Sequence, residues 1–239
     1  MLAIDRVHTY RGTAHVLQGV SLRVEARQTV CLVGRNGAGK TTTIESAMGL
    51  LPVRSGTVTF DGRDITRLPT HERALLGIGY SPEDSGIFPE LTVAENFHIS
   101  EWLAGSKRGG KAASAAEAEE RIFALFPEVR AFMQRRGLNL SGGQKKMVAI
   151  ARALTLNPSI LLLDEPFEGL APVVVNRFIE AVQRIKEEMG VSLLIAESNL
   201  ATASRVADRL YAIDRGEIIF EGDPRTAQGN AEVMKTLRG

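Results

Sequence analysis

The sequence predicts an α/β fold with a mainly parallel sheet, and three observations support this prediction. Three short runs, at 29–34, 159–165 and 191–197, are almost entirely apolar and rich in Leu, Ile and Val. Strands of this kind are buried on both faces, as in a parallel sheet covered by helices. Helical patterns alternate with them along the chain. Residues 2–7 and 20–25 instead alternate apolar and polar, which predicts a smaller antiparallel layer.

The remaining elements follow from local patterns. Residues 58–65 repeat the alternation around an Asp-Gly turn, and 209–222 are typical of a hairpin. Helices are predicted to begin at Thr41 and after Ser141, and an apolar stripe over 175–189 predicts another.

The sequence pattern predicts that the middle of the chain, residues 88–140, is mostly helical. Its weak point is 104–120, a segment of low complexity that predicts a mobile surface connection leading into a helix.

Composition narrows the range of functions. The 239 residues suffice for one large domain or two small ones. A formal net charge of +1 lacks the basic excess of a nucleic-acid-binding protein, so we expect no nucleic-acid partner. No apolar run approaches the roughly 20 residues that span a bilayer, so other chains would have to supply any membrane part. Cys31 is the single cysteine and is predicted to be buried.

A phosphate-binding loop is predicted at residues 34–41. Their sequence, GRNGAGKT, matches G-x-x-x-x-G-K-[ST] between a buried strand and a helical pattern. The glycines let backbone N–H groups approach phosphate oxygens, and the following helix adds its positive end. We expect Lys40 to reach the β- and γ-phosphates and the Thr41 hydroxyl to ligate Mg²⁺. The alternative is a glycine-rich turn with an incidental lysine, which the strand-loop-helix context disfavours.

Two adjacent acids, Asp164 and Glu165, end the buried strand over 159–165. Ligands of open α/β sheets bind beyond the carboxyl ends of the strands, so both acids are expected at the phosphate site. We expect Asp164 to hold Mg²⁺ through its waters and Glu165 to orient and polarise the attacking water. Because Pro166 follows, capping of the next turn is the alternative role.

The segment LSGGQ, residues 140–144, precedes a helical pattern upstream of the two acids. Ser141 is expected to cap that helix, and the two glycines expose N–H groups as a second anion site. The order of phosphate loop, LSGGQ and Asp-Glu strand resembles the ATP-binding cassette (ABC) family over nearly the whole chain. The resemblance implies one ATP-binding domain over 1–239. Its core would be that of a P-loop NTPase (RecA-like), with an N-terminal antiparallel β subdomain and a helical subdomain at roughly 88–144.

The resemblance also implies a ligand set and a geometry for the site. Two cassettes would pair head to tail, with ATP and Mg²⁺ held between the loop of one and the LSGGQ of the other. The nucleotide-binding residues implied in the loop are Gly34, Arg35, Asn36, Gly37, Ala38, Gly39, Lys40, Thr41 and Thr42. The residues implied to contact the partner's ATP are Leu140, Ser141, Gly142, Gly143 and Gln144. Catalysis is assigned to Lys40, Glu165 and Ser198, and metal binding to Thr41, Asp164 and Glu83.

Several positions depart from the family pattern. The slot of the aromatic residue that stacks on adenine holds Arg11, preceded by Tyr10. Either side chain is expected at the base, and solvent-facing strand residues are the alternative. Glu83 replaces the usual glutamine but keeps an oxygen for Mg²⁺. Phe167 and Glu168 stand where small or aliphatic residues are common, and we expect them at the seam of the cassette pair.

Ser198 takes the place of the histidine that the family keeps beside the γ-phosphate, and all the histidines precede LSGGQ. A serine donates one hydrogen bond but carries no charge, and its shorter reach favours a bridging water. We therefore expect an uneven pair, in which a different cassette supplies a histidine. A heterodimer is favoured, and a homodimer is the alternative.

Three further segments indicate the subgroup. FPELTVAEN (88–96) resembles transporter cassettes, and EGLAP (168–172) and PED (82–84) resemble the smaller ATP-binding subunit of branched-chain, or hydrophobic, amino-acid importers. This implies two transmembrane permease subunits, a substrate-binding protein, and a peripheral location at the cytoplasmic face of the cell membrane. The alternative is a cassette ATPase that acts on DNA or ribosomes, and it predicts a second cassette, a coiled-coil insertion or basic patches. LSGGQ disfavours a P-loop kinase or GTPase.

Overall fold

The structure is a computed structural model that describes residues 1–105 and 115–238. The mobile connection predicted over 104–120 therefore lies largely outside the described residues. The strands are β1 (Leu2–Arg11), β2 (Ala14–Val24), β3 (Thr29–Val33), β4 (Val53–Phe60), β5 (Arg63–Asp64), β6 (Ile78–Ser81), β7 (Ile160–Asp164), β8 (Ser192–Glu197), β9 (Arg209–Asp214) and β10 (Glu217–Gly222). The α-helices are α1 (Lys40–Met48), α2 (Thr70–Leu75), α3 (Val93–Gly105), α4 (Ala115–Leu125), α5 (Pro127–Phe132), α6 (Gly142–Thr155), α7 (Pro172–Met189), α8 (Leu200–Val206), α9 (Pro224–Ala227) and α10 (Ala231–Arg238).

The central sheet has the strand order β10-β9-β3-β8-β7-β6. All neighbours from β9 to β6 run parallel, and β10 returns antiparallel to β9. The three apolar runs of the sequence form β3, β7 and β8, and every residue of these strands is buried. The predicted mainly parallel sheet is confirmed. Strand β6 was not predicted, because its four residues include Gly79 and pair only with β7 at the sheet edge.

The second sheet is antiparallel, in the order β2-β1-β4-β5. Its first two strands extend beyond the predicted 2–7 and 20–25, because irregularities interrupt their alternation. The register of β1 on β2 shifts between Ile4 and Val7, between Val7 and His8, and again between Thr9 and Tyr10.

The core consists of two clusters, one on each face of the central sheet. Alternate residues of β3 divide between them: Cys31 and Val33 face one cluster, while Val30 and Leu32 face the other. The first cluster contains α6 and α7, and the second contains α1 and the antiparallel sheet. Cys31 is fully buried, as predicted. Close packing on both faces therefore holds the sheet rigidly, and side chains at the ends of its strands have fixed positions.

The helical pattern is close to the prediction. Helix α1 begins at Lys40, one residue before the predicted start, and α7 begins at Pro172 rather than at 175. Proline suits the first position of a helix because a backbone N–H there would make no hydrogen bond within the helix, so its absence costs nothing. Within residues 1–105 and 115–238, no helix combines the length and the apolar character of a membrane span.

Candidate functional site

The predicted phosphate loop connects β3 to α1 at the end of the central sheet. Gly39 has φ 115°, a backbone conformation that side chains disfavour. A Cβ atom on Gly34 would lie 2.6 Å from the Ile213 carbonyl oxygen, so this approach requires glycine. The Lys40 ammonium folds back over the loop and donates to the carbonyls of Gly34 (2.8 Å) and Arg35 (3.1 Å).

The two acids at the end of β7 lie against this loop. The Thr41 hydroxyl donates to Oδ1 of Asp164 at 3.2 Å. Nζ of Lys40 lies 3.0 Å from Oε1 of Glu165, and both side chains are only 5% exposed. Parallel strands end at one edge of the sheet, which is why residues more than 120 positions apart in the chain meet here.

Glu165 has a strained backbone. Its φ is 46°, in the left-handed region that residues other than glycine seldom adopt. Its amide donates to the Ala196 carbonyl at 3.0 Å. Strain of this kind persists only where neighbouring contacts impose it, and it often occurs at functional sites.

Ser198 contacts Glu165 directly. Its hydroxyl donates to Oε1 of Glu165 at 2.5 Å and lies 3.3 Å from Oδ1 of Asn36. The Ser198 amide donates to Oε2 of Glu165 at 3.1 Å. Burial raises the pKa of Glu165, but the bonds from Ser198 and Lys40 outweigh it and hold that pKa below its usual value. The serine in the histidine slot therefore helps to keep Glu165 ionised.

Glu197 is a member of this site that the sequence reasoning missed. It is 2% exposed, and its Oε1 accepts from the amides of Ser198 (2.8 Å) and Asn199 (3.0 Å). Burial, followed by the charge of Glu165, raises its pKa to about 7. The other carboxyl oxygen of Glu197, Oε2, is buried and has no hydrogen-bond partner among the described residues. The sequence does contain one indication of this role: Glu197 is an acid at the end of an otherwise apolar predicted strand, where an unpaired charge would be costly.

The residues around Asp164 fit a magnesium ion. Oδ2 of Asp164 is buried and has no hydrogen-bond partner among the described residues. Burial raises the pKa of Asp164 to about 6, a cost that a bound cation would offset. Thr41, Glu83 and Asp164 line one cavity of about 390 Å³. Carboxylate and hydroxyl oxygens are the donors that hard divalent cations prefer.

A larger cavity of about 480 Å³ lies over the phosphate loop. Its lining residues are Arg11, Val16, Asn36, Gly37, Gly39, Lys40, Thr41, Thr42, Glu83, Glu165 and Glu168. Gly34, Arg35 and Ala38 belong to the same loop but do not line this space. The cavity joins the predicted phosphate-binding residues to Glu165 and Glu83.

Arg11 and Tyr10 point to different places. Arg11 donates to the Thr42 hydroxyl at 3.1 Å and pairs with Glu45 at the cavity wall. The Tyr10 ring stacks on His15, with ring centroids 4.4 Å apart and planes 3° from parallel. It lines a separate surface cavity beyond the phosphate loop. The structure therefore does not bring Tyr10 to the predicted nucleotide site, whereas it does bring Arg11 there.

The LSGGQ segment lies apart from this cavity. Ser141 caps α6: its hydroxyl accepts from the Gln144 amide at 3.3 Å, and its own amide donates to Oε1 of Gln144 at 2.9 Å. Ser141 and Gly142 are exposed, Gly143 and Gln144 are half-buried, and Leu140 is in the core. This arrangement leaves the start of α6 open to an external group.

One expectation at the pair seam is wrong. Phe167 is 5% exposed and packs in the core cluster with α6 and α7, so it presents no surface to a partner. Its large apolar side chain gains more from burial than from the surface position we expected. Glu168, by contrast, lines the cavity.

Fold and cavity together define a P-loop nucleotide-hydrolysing protein. The sequence profile described as ABC transporter matches residues 17–168, more than half of the sequence. The chain belongs to the ABC transporter family, and it is an ATP-binding, ATP-hydrolysing subunit of a transporter.

Known relatives agree with this assignment. LivF of Archaeoglobus fulgidus, a probable branched-chain amino acid transport ATP-binding protein, is 35% identical over 211 residues, covering 87% of this chain and 86% of LivF. LptB of Escherichia coli K12, a lipopolysaccharide export system ATP-binding protein, is 35% identical over 241 residues, covering 100% and 97%. The cassette MJ1267 in its ADP conformation has a TM-score of 0.86 at 30% identity, covering 100% of this chain and 98% of that one.

Proposed function

We propose that this chain powers the uptake of branched-chain or other hydrophobic amino acids, or related small solutes, as the ATPase subunit of an importer. The observation that carries the ATPase chemistry is the convergence of Lys40, Glu165 and Ser198 over the phosphate loop. The cargo rests on the similarity to LivF and on the segments over 82–84 and 168–172. Residues 1–239 would form one ATP-binding domain, with the helical subdomain at roughly 88–144.

The residues of the site have complementary roles in this proposal. Backbone N–H groups of the loop and the start of α1 bind the phosphates, and Lys40 neutralises their charge. Thr41, Asp164 and Glu83 would hold Mg²⁺, which supplies charge neutralisation for the transferred phosphoryl group. Glu165 is the general base that accepts a proton from the attacking water, because Ser198 and Lys40 keep it ionised.

Lys40 changes partner during this cycle. In the structure it is paired with Glu165, so a γ-phosphate entering the loop competes with that carboxylate for the ammonium. Moving Lys40 to the phosphate frees Glu165 to accept a proton. We propose that Arg11, which lines the cavity, contacts the base by stacking its guanidinium plane on the ring.

The proposed partners follow from the exposed start of α6. A second cassette would place its ATP against Ser141, Gly142 and Gly143. Since Ser198 carries no charge, we propose a partner with a histidine at that position, hence a heterodimer. Two permease subunits and a substrate-binding protein complete the importer, and the chain lies peripherally at the cytoplasmic face of the cell membrane.

Lipopolysaccharide export is the second candidate function, because LptB is as similar to this chain as LivF is. The experiment that separates them is purification of the tagged chain with its partners from solubilised membranes, followed by reconstitution in proteoliposomes. We expect ATP-dependent uptake of labelled leucine that is lost in Glu165→Gln. A complex that hydrolyses ATP yet moves no hydrophobic amino acid would contradict the proposed cargo.

A further inference from the structure

Lys146 links the helix of the LSGGQ segment to Glu165. It lies in α6, and its Nζ atom donates to the backbone carbonyl oxygen of Glu165 in a short contact. The side chain is half-buried, and no carboxylate of the described residues lies within salt-bridge distance of it. A charged donor is thus directed at a neutral carbonyl rather than at an acid.

The acceptor carbonyl belongs to a residue with strained backbone. Glu165 has φ 46°, and its carbonyl also accepts a longer bond of 3.3 Å from the Glu168 amide. On its other side, the Glu165 amide is held by Ala196 at 3.0 Å. The direction of a side chain depends on the backbone that carries it, so the two fixed peptide groups determine where the Glu165 carboxylate lies.

The support for Lys146 is rigid. The N-cap of its helix, Ser141, lies only about 7.5 Å earlier along the axis at 1.5 Å per residue, and the capping box of Ser141 fixes the first turn. In the following turns of α6, every residue from Met147 to Leu154 except Arg152 is buried. Lys146 therefore projects from an anchored helix rather than from a loop.

Several acids surround Lys146. Burial lowers its pKa, while the charges of nearby acids act in the opposite direction; these are Glu168, Glu197, Glu165 and Glu83. A charge-assisted hydrogen bond is roughly twice as strong as a neutral one, so this contact holds the Glu165 peptide better than glutamine would.

We infer that Lys146 is a positioning residue for ATP hydrolysis, which holds the Glu165 backbone in its left-handed conformation and thereby aims the carboxylate at the attacking water. The inference rests on the catalytic role proposed for Glu165. It assigns no contact between Lys146 and the nucleotide. Loss of Lys146 should accordingly lower the rate of the chemical step and leave nucleotide binding unchanged.

The test compares three variants of the purified complex. Lys146→Met removes the donor and keeps most of the side-chain volume, Lys146→Arg keeps a charged donor, and Lys145→Met is the matched control on the same helix. Phosphate release gives kcat and KM, and fluorescent-nucleotide titration gives the affinity for ATP. We expect Lys146→Met to lower kcat by about tenfold or more, as a misplaced catalytic group does. KM and the ATP affinity should stay within about twofold of the wild type.

Rescue and failure are both measurable. Lys146→Arg should recover most of kcat, and Lys145→Met should match the wild type. Lys146→Met with unchanged kcat, or with KM and kcat altered together and no rescue by arginine, would overturn the inference. Should Lys146→Met fail to fold, Lys146→Leu, which also lacks a donor, takes its place under the same criteria. A Glu165→Gln complex that hydrolyses ATP normally would overturn the catalytic role itself. An inactive Glu165→Gln beside a fully active Lys146→Met would overturn the inference alone.

Discussion

Nζ of Lys40 lies 3.0 Å from Oε1 of Glu165, and both side chains are 5% exposed. The phosphate-binding cation and the proposed general base thus neutralise each other in a desolvated setting. Removing one partner of such a pair leaves the other as an uncompensated buried charge, which costs about 3–5 kcal/mol. The same pair therefore serves stability and, when a phosphate displaces the carboxylate, catalysis.

The first prediction concerns this pair. Lys40→Met should lower the free energy of unfolding by about 3 kcal/mol, because Glu165 loses its cation. Glu165→Gln should cost less, since Lys40 keeps two carbonyl acceptors. The double variant should lose at least about 1 kcal/mol less than the sum of the single variants. Urea denaturation measures all four proteins, and additive losses would show that the two charges do not interact.

Ser198→Ala should lower kcat by at most about tenfold, since it removes one short hydrogen bond. The lost bond is one of those that lower the pKa of Glu165, so that pKa should rise. Hydrolysis needs the ionised carboxylate, and the acid limb of the pH–rate profile should therefore move to higher pH. Thr202→Ala in the next helix is the control. A complete loss of activity would mean that Ser198 does more than support Glu165.

Glu197→Gln should change how stability depends on pH. The pKa of Glu197 is raised by burial from 4.5 to about 7, so the folded state binds a proton that the unfolded state releases. The contribution of this group to the free energy of unfolding is full below pH 4.5 and is lost as the pH rises to about 7. Glutamine does not titrate, so the variant should lack this decline. Parallel curves for the two proteins in urea titrations between pH 4.5 and 8 would refute the prediction.

Arg11→Ala should weaken ATP binding by about fivefold to tenfold, through loss of a contact worth roughly 1 kcal/mol at the base. Tyr10→Ala should leave the affinity within about twofold, because the ring stacks on His15 outside the cavity. Titration with a fluorescent ATP analogue compares the two variants. The reverse order of effects would assign the base contact to Tyr10.

Much of the fold was predictable because buried strands consist of recognisable runs of apolar residues. Strands β3, β7 and β8 are buried on both faces, and their continuous apolar runs gave their positions. The β9–β10 hairpin was predictable from the pattern over 209–222, and in the structure its two-residue turn consists of Arg215 and Gly216, both at positive φ. The short edge strand β6 has no such apolar run.

The site residues that belong to a sequence motif were predictable. Those whose positions depend on packing between distant parts of the chain were not. The charge of Glu165 acts on Glu197 from the end of the neighbouring strand, and no local pattern reveals which way each carboxyl turns. Tyr10 and Arg11 are adjacent in β1 and so point to opposite faces, and the pairing of this strand decides which of them lines the cavity. The burial of Phe167 is set by α6 and α7, which pack around it from distant parts of the chain.

Glu165 activates water over the phosphate loop, and phosphate release by the Glu165→Gln complex is the measurement that tests this role. We predict a loss of at least about a hundredfold in kcat, typical of removing a general base. ATP binding should be retained or tightened because Lys40 is then free for phosphate, and the complex should be held as a closed, ATP-bound pair. Hydrolysis at the wild-type rate would show that Glu165 does not activate the water.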